Sequence, residues 1–130
     1  MKLNYQKIYE KLGYLFYAIA AADKNVKPAE IEKLREIVVK DWLPMEDSKD
    51  EFDTDAAHYI LFAFDYLHAE GVQSKEAFQT FVEYIKDHRN VIKDSFKAKI
   101  YNSAHVLANA FSGTNKAESS YLKQLEFVLK

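Results

Sequence analysis

Apolar residues recur along this chain at spacings of three and four, and helix punctuation brackets most of the stretches that carry them. Ile8, Leu12, Leu15, Phe16 and Ile19 mark a first helix from about Asn4, a residue suited to capping, to Ala22; its second half is apolar on every side. Pro28 opens a second helix with Glu30 in its first turn and Ile31, Leu34, Val38 and Trp42 on one face, stopping before Pro44. A third runs from about Thr54 to Ala69, with Ala57, Ile60, Leu61, Phe64 and Leu67 inward and Gly71 as terminator. Ser74 reads as the N-cap of a fourth, which buries Phe78, Phe81, Val82 and Ile85. The fifth spans about Ile92 to Phe111 along a seam of Phe96, Ile100, Ser103, Leu107 and Ala110, closed by Gly113. Asn115 with Glu118 forms a capping box for a sixth, which buries Leu122, Leu125 and Val128 or Leu129.

No segment sustains the alternation of a strand, so the pattern predicts an all-α fold, a compact bundle of about six helices. Ala98, Tyr101, His105 and Ala108 form a second uncharged face on helix five. Only helix one shares such a belt, which predicts that these two pack at the centre. Ala20, Ala22, Ala29, Glu30 and Leu34 align without a gap on Ala108, Ala110, Ala117, Glu118 and Leu122. That alignment predicts two pseudo-repeated helical hairpins bracketing a middle section.

Composition narrows the function. At 130 residues, with 48% apolar and 29% charged positions, the chain has the proportions of one globular domain over residues 1–130. Eighteen basic against twenty acidic side chains supply no global positive field, so nucleic acid is not an expected partner. Cysteine is absent, which excludes disulfides, thiolate nucleophiles and Cys-ligated metal, and suits a reducing compartment. The longest uncharged run, Leu12 to Ala22, has eleven residues where a membrane span needs about twenty; no transmembrane segment is predicted and the cytoplasm is the default location.

The segment Ala18-Ile19-Ala20-Ala21-Ala22-Asp23-Lys24-Asn25-Val26-Lys27-Pro28-Ala29-Glu30-Ile31-Glu32-Lys33-Leu34-Arg35 resembles the signature of the TerB-like tellurite-resistance family. That signature is an alanine-rich apolar helix ending in Ala-Asp, a short turn with an apolar residue, and a helix opened by Glu. A second, weaker copy covers Ala104 to Leu125, with Phe111 where the first has Asp23. The resemblance implies a cytoplasmic all-helical module linked to stress-response or membrane-associated complexes, with no established catalytic reaction. It also implies that acidic side chains such as Asp23 and Glu30 are the ones to weigh as metal ligands.

On the residues alone, Asp23 at the end of helix one and Glu30 in the first turn of helix two can be brought near one point by the turn, yet two carboxylates fall short of the six to eight oxygens that Ca²⁺ usually takes. Capping explains both: Glu30 suits the positive end of helix two, and Asp23 can accept backbone donors in the turn. A divalent-cation site is therefore the alternative, and no cofactor is expected. Asp65 and His68, three residues apart, can touch, but no nucleophile is placed beside them; His58 lies too far along the helix to join. His105 is expected to be packed, and His88 to complement a helix C-terminus. Between Glu46 and Asp55 six carboxylates stand against Lys49 alone, a solvated stretch with a local negative field. Its Asp47, Asp50 and Glu51, together with Tyr59 and Tyr66 on helix three, are the candidate partner contacts; for the two tyrosines the alternative is burial under the acidic stretch. The expectation is a non-enzymatic module that binds a protein partner.

Overall fold

A computed structural model describes residues 5–22, 28–41, 57–110 and 116–129. It is an all-α bundle: α1 (Tyr5–Ala20), α2 (Pro28–Asp41), α3 (Ala57–Glu70), α4 (Ser74–His88), a single 3₁₀ turn at Arg89–Val91, α5 (Asp94–Ala110) and α6 (Lys116–Val128). No strand occurs among the described residues. Asp23, the stretch 42–56 with Asp47, Asp50 and Glu51, and the turn 111–115 with Phe111, Gly113 and Asn115 lie outside the described residues. The expected hairpin repeat leans partly on Ala117 and Glu118, whose side chains are also outside them.

The bundle is organised around α1. Ile8, Tyr9 and Leu12 form a stripe, and from Leu15 to Ala21 every side chain is buried, as the all-round apolar composition requires. α1 packs chiefly against α3 and α4 and less against α5. The α1–α3 crossing is close because Gly13 has no Cβ: one built there would stand 2.6 Å from both Ala63 Cβ and Ile60 O. Tyr17 meets Phe64 edge-on at 5.7 Å between centroids, and Tyr9 meets Phe96 of α5 at 6.1 Å. α2 lies on α5 and α3, α6 on α5 and α4, and residues from all six helices share one apolar cluster.

Helix five is not the second centre. Its seam from Phe96 through Leu107 is buried, together with Ala104 and Ala108, but Ala98, Val106 and Ala110 are exposed. His105 is exposed too, with Asn109 Nδ2 3.1 Å from its Nδ1 and Tyr101 edge-on beside it. An uncharged helix face carries no desolvation penalty but has no obligation to be covered, whereas the large aliphatics of α1 do.

Helix ends follow local chemistry in one case and tertiary contacts in another. After α3, Gly71 adopts φ +66°; its amide donates to His68 O (3.2 Å) and that of Val72 to Leu67 O (3.2 Å), the paired bonds of a Schellman stop. His88 Nδ1 donates to Tyr84 O (2.9 Å), so this imidazole satisfies a last-turn carbonyl of α4 as its position predicts. At the start of α4 the expectation fails. Gln73 is the N-cap and makes no side-chain cap bond, while Ser74 is already helical and turns its hydroxyl to another part of the molecule.

Candidate functional site

Two places on the described surface carry more chemistry than the fold requires. The first is the outer face of α3. Its inward stripe, Ile60, Leu61, Phe64 and Leu67, is buried as the spacing predicts, but Phe62 is 61% exposed and Tyr66, one turn on, 59%. His58, a turn before Phe62, stacks on it at 6.3 Å between rings with a 24° tilt, and half-buried Tyr59 meets Phe62 edge-on at 6.3 Å. On α1, Tyr14 carries Lys11 Nζ 4.7 Å from its ring centroid. Burial first, then the Glu10 carboxylate and the Tyr66 phenol, raises the Tyr14 pKa above its ordinary value of 10.0. Arg35 Nη2 of α2 lies 3.3 Å from Asp65 Oδ2 at the rim, an exposed pair that adds under about 1 kcal/mol. Asp65 is therefore engaged by a different helix, and the contact with His68 that their spacing allows gives way to this one.

The second place is a cleft of about 720 Å³ where the C-terminal end of α1, the α3–α4 turn and α6 converge. Ser74 Oγ donates to Ala18 O (2.7 Å). Its only proton is thereby committed, so in the 2.8 Å contact with Tyr121 Oη the tyrosine donates. The Tyr121 ring stacks on Phe78 at 4.4 Å and 20°. Tyr17 Oη donates to Val72 O, which ties α1 to the turn that follows α3. Two cation-capable side chains, His68 and Lys75, stand on the wall; neither side chain has a partner among the described residues. Among the described residues no carboxylate lines the cleft.

Among the described residues, no group of three or more His, Asp or Glu side chains gathers as metal ligands do. Glu30 is 7% exposed in the first turn of α2, where its charge meets the positive end of the helix. No described helix is long and apolar enough to cross a membrane. A smaller depression between α5 and the end of α6 holds Lys97, whose Nζ lies 3.8 Å from Asp94 Oδ1. Neither Phe62 nor the cleft was found from sequence. Phe62 carried a signal, since it sits four residues before Tyr66 and off the core stripe; the cleft draws on three distant segments and carried none.

No family model matches this chain, and neither a curated protein nor a solved structure matches it.

Burial also raises the Tyr17 pKa, and burial followed by Glu10 raises that of Tyr84, whose buried hydroxyl has no partner among the described residues. For each, the neutral phenol is the folded form. Its contribution to stability is complete below the unfolded value near 10.0 and is lost as pH climbs through the higher folded value. A tyrosinate absorbance titration is expected to show a fraction ionising above pH 10, joined to unfolding, and the denaturation midpoint should fall over that range. A single transition at the ordinary value with the fold intact would contradict this.

Proposed function

We propose that this chain is a non-enzymatic helical module of the TerB-like kind that works by docking a protein partner on the outer face of α3. The observation that carries the reading is the exposure of Phe62 and Tyr66 on one helical ridge, flanked by His58, Tyr59 and Tyr14. A phenyl ring in water adds nothing to this bundle and is a poorer helix former than the alanine that would serve instead. Contiguous exposed aromatics with a charged rim are the composition of an interface centre. Here the rim is Lys11, Arg35 and Asp65. The partner such a face fits is a protein segment that seats an aliphatic or aromatic side chain against the two rings. The cytoplasmic, stress-related setting is supported by the resemblance of Ala18–Arg35 to the family signature.

The double variant Phe62→Ser, Tyr66→Ser tests this. Both side chains are exposed, so the unfolding free energy should stay within about 0.5 kcal/mol of the parent. Complexes recovered from a native lysate of the source cell, and any self-association seen by sedimentation, should be lost. If every complex survives the double substitution, the α3 face is not the docking surface.

A further inference from the structure

We infer that the cleft between α1, the α3–α4 turn and α6 is a binding site for a small organic anion, its carboxylate or phosphate held by Lys75 and His68. The volume, about 720 Å³, lies within the range of small-molecule sites, and a cleft merely left over between helices has no reason to be furnished as this one is. Among the described residues its lining carries one sign of charge. Lys75 and His68 line it, no Asp or Glu among the described residues does, and neither is paired with another described side chain. In a protein with two more acidic than basic residues, a described lining whose charge-capable side chains are all basic favours an anion. The start of α4, which no side chain caps, adds partial positive charge to the same wall.

The rest of the lining selects the body of the ligand. Ala21, Ala22 and Val72 offer apolar surface beside the Tyr121 ring, which Phe78 and Ser74 hold in place. Tyr17 and Tyr121 have each committed their hydroxyl proton, to Val72 O and Ser74 Oγ, so each presents only oxygen lone pairs to a ligand. These can accept from a hydroxyl or amine on the ligand but not bind its anionic group, which leaves that role to Lys75 and His68. The class defined is a molecule with one anionic group, a short apolar or flat body, and room for a hydrogen-bond donor.

Phenyl phosphate, benzoate, inorganic phosphate and benzyl alcohol serve as probes, followed by amide chemical shifts of the whole chain. Phenyl phosphate or benzoate should shift the amides of Gly71 to Lys75 together with Ala21 and Ala22, saturably, and should bind more tightly than inorganic phosphate or the neutral alcohol. The double variant Lys75→Ala, His68→Ala should keep the dispersed spectrum and weaken that binding about tenfold or more. Lys75→Arg should bind within a few-fold of the parent. Inorganic phosphate binding as tightly as both aromatic anions would overturn the apolar half of the assignment. Equal affinity for benzyl alcohol, undiminished binding by the double variant, or shifts that never localise would overturn the site.

Discussion

Gly13→Ala is expected to destabilise this protein by about 1–3 kcal/mol, although helix propensity alone predicts a gain of about 1 kcal/mol at a mid-helix glycine. The steric term wins because of what the new methyl meets. Ala63 Cβ and Ile60 O would each lie 2.6 Å away, and neither can rotate aside: one is the first side-chain atom of α3, the other its backbone. Relief requires α1 and α3 to separate, which loosens Leu12, Phe16 and Phe64 at the most extensive helix contact in the bundle. Removing the Ala63 methyl in the double variant Gly13→Ala, Ala63→Gly takes away one of the two contacts and should restore part of the loss. The midpoint of a denaturant transition, with its slope unchanged, reports the effect. A stabilised Gly13→Ala would show that the crossing is not as close as described. Gly71→Ala is a useful contrast, since nothing stands within 4 Å of a Cβ there and only the φ of +66° is at issue; about 1 kcal/mol is expected.

Ser74 should behave as a bridge between helices rather than as a helix cap, and substitution distinguishes the two by sign. Ser74→Ala removes the donor to Ala18 O and the acceptor for Tyr121 Oη, and should lower stability by about 1–3 kcal/mol. A lost cap would give a similar figure, so Ser74→Asp decides. Aspartate is a good cap and a favourable charge at a helix start, which predicts no loss or a small gain if capping were the role. It cannot donate, however, so Ala18 O would face a carboxylate in place of a hydroxyl proton, and a clear loss is expected. Ser74→Thr retains both functions of the hydroxyl and should sit near the parent. A cycle of Ser74→Ala with Tyr121→Phe should return a coupling of about 0.5–3 kcal/mol, because the two share one hydrogen bond. Zero coupling would separate α6 from this network.

Periodicity was sufficient for the helices and for most of the core, because both depend on residues close in sequence. Six apolar stripes of helical period become six helices, with described ends within about three residues of those expected. The belt of α1 from Leu15 to Ala21 is buried on all sides, since no orientation of that helix could expose part of it without loss. Gly71 stops α3 through a backbone angle that glycine reaches at little cost, a purely local matter. Tertiary structure decided the remainder, wherever a residue had two acceptable uses and local chemistry could not rank them. Ser74 can cap or bridge, and Ala18 O and Tyr121 Oη, more than forty residues away on either side, select the bridge. Asp65 can hold His68 or an arginine, and α2 brings Arg35 to it. The uncharged second face of α5 can be covered or left in water, and the neighbours of α5 leave His105 and Ala98 exposed. Phe62, like Phe64, is apolar and helical, but their positions differ by two residues, about 200° around the helix, so the packing of α1 on one side of α3 buries Phe64 and leaves Phe62 outside.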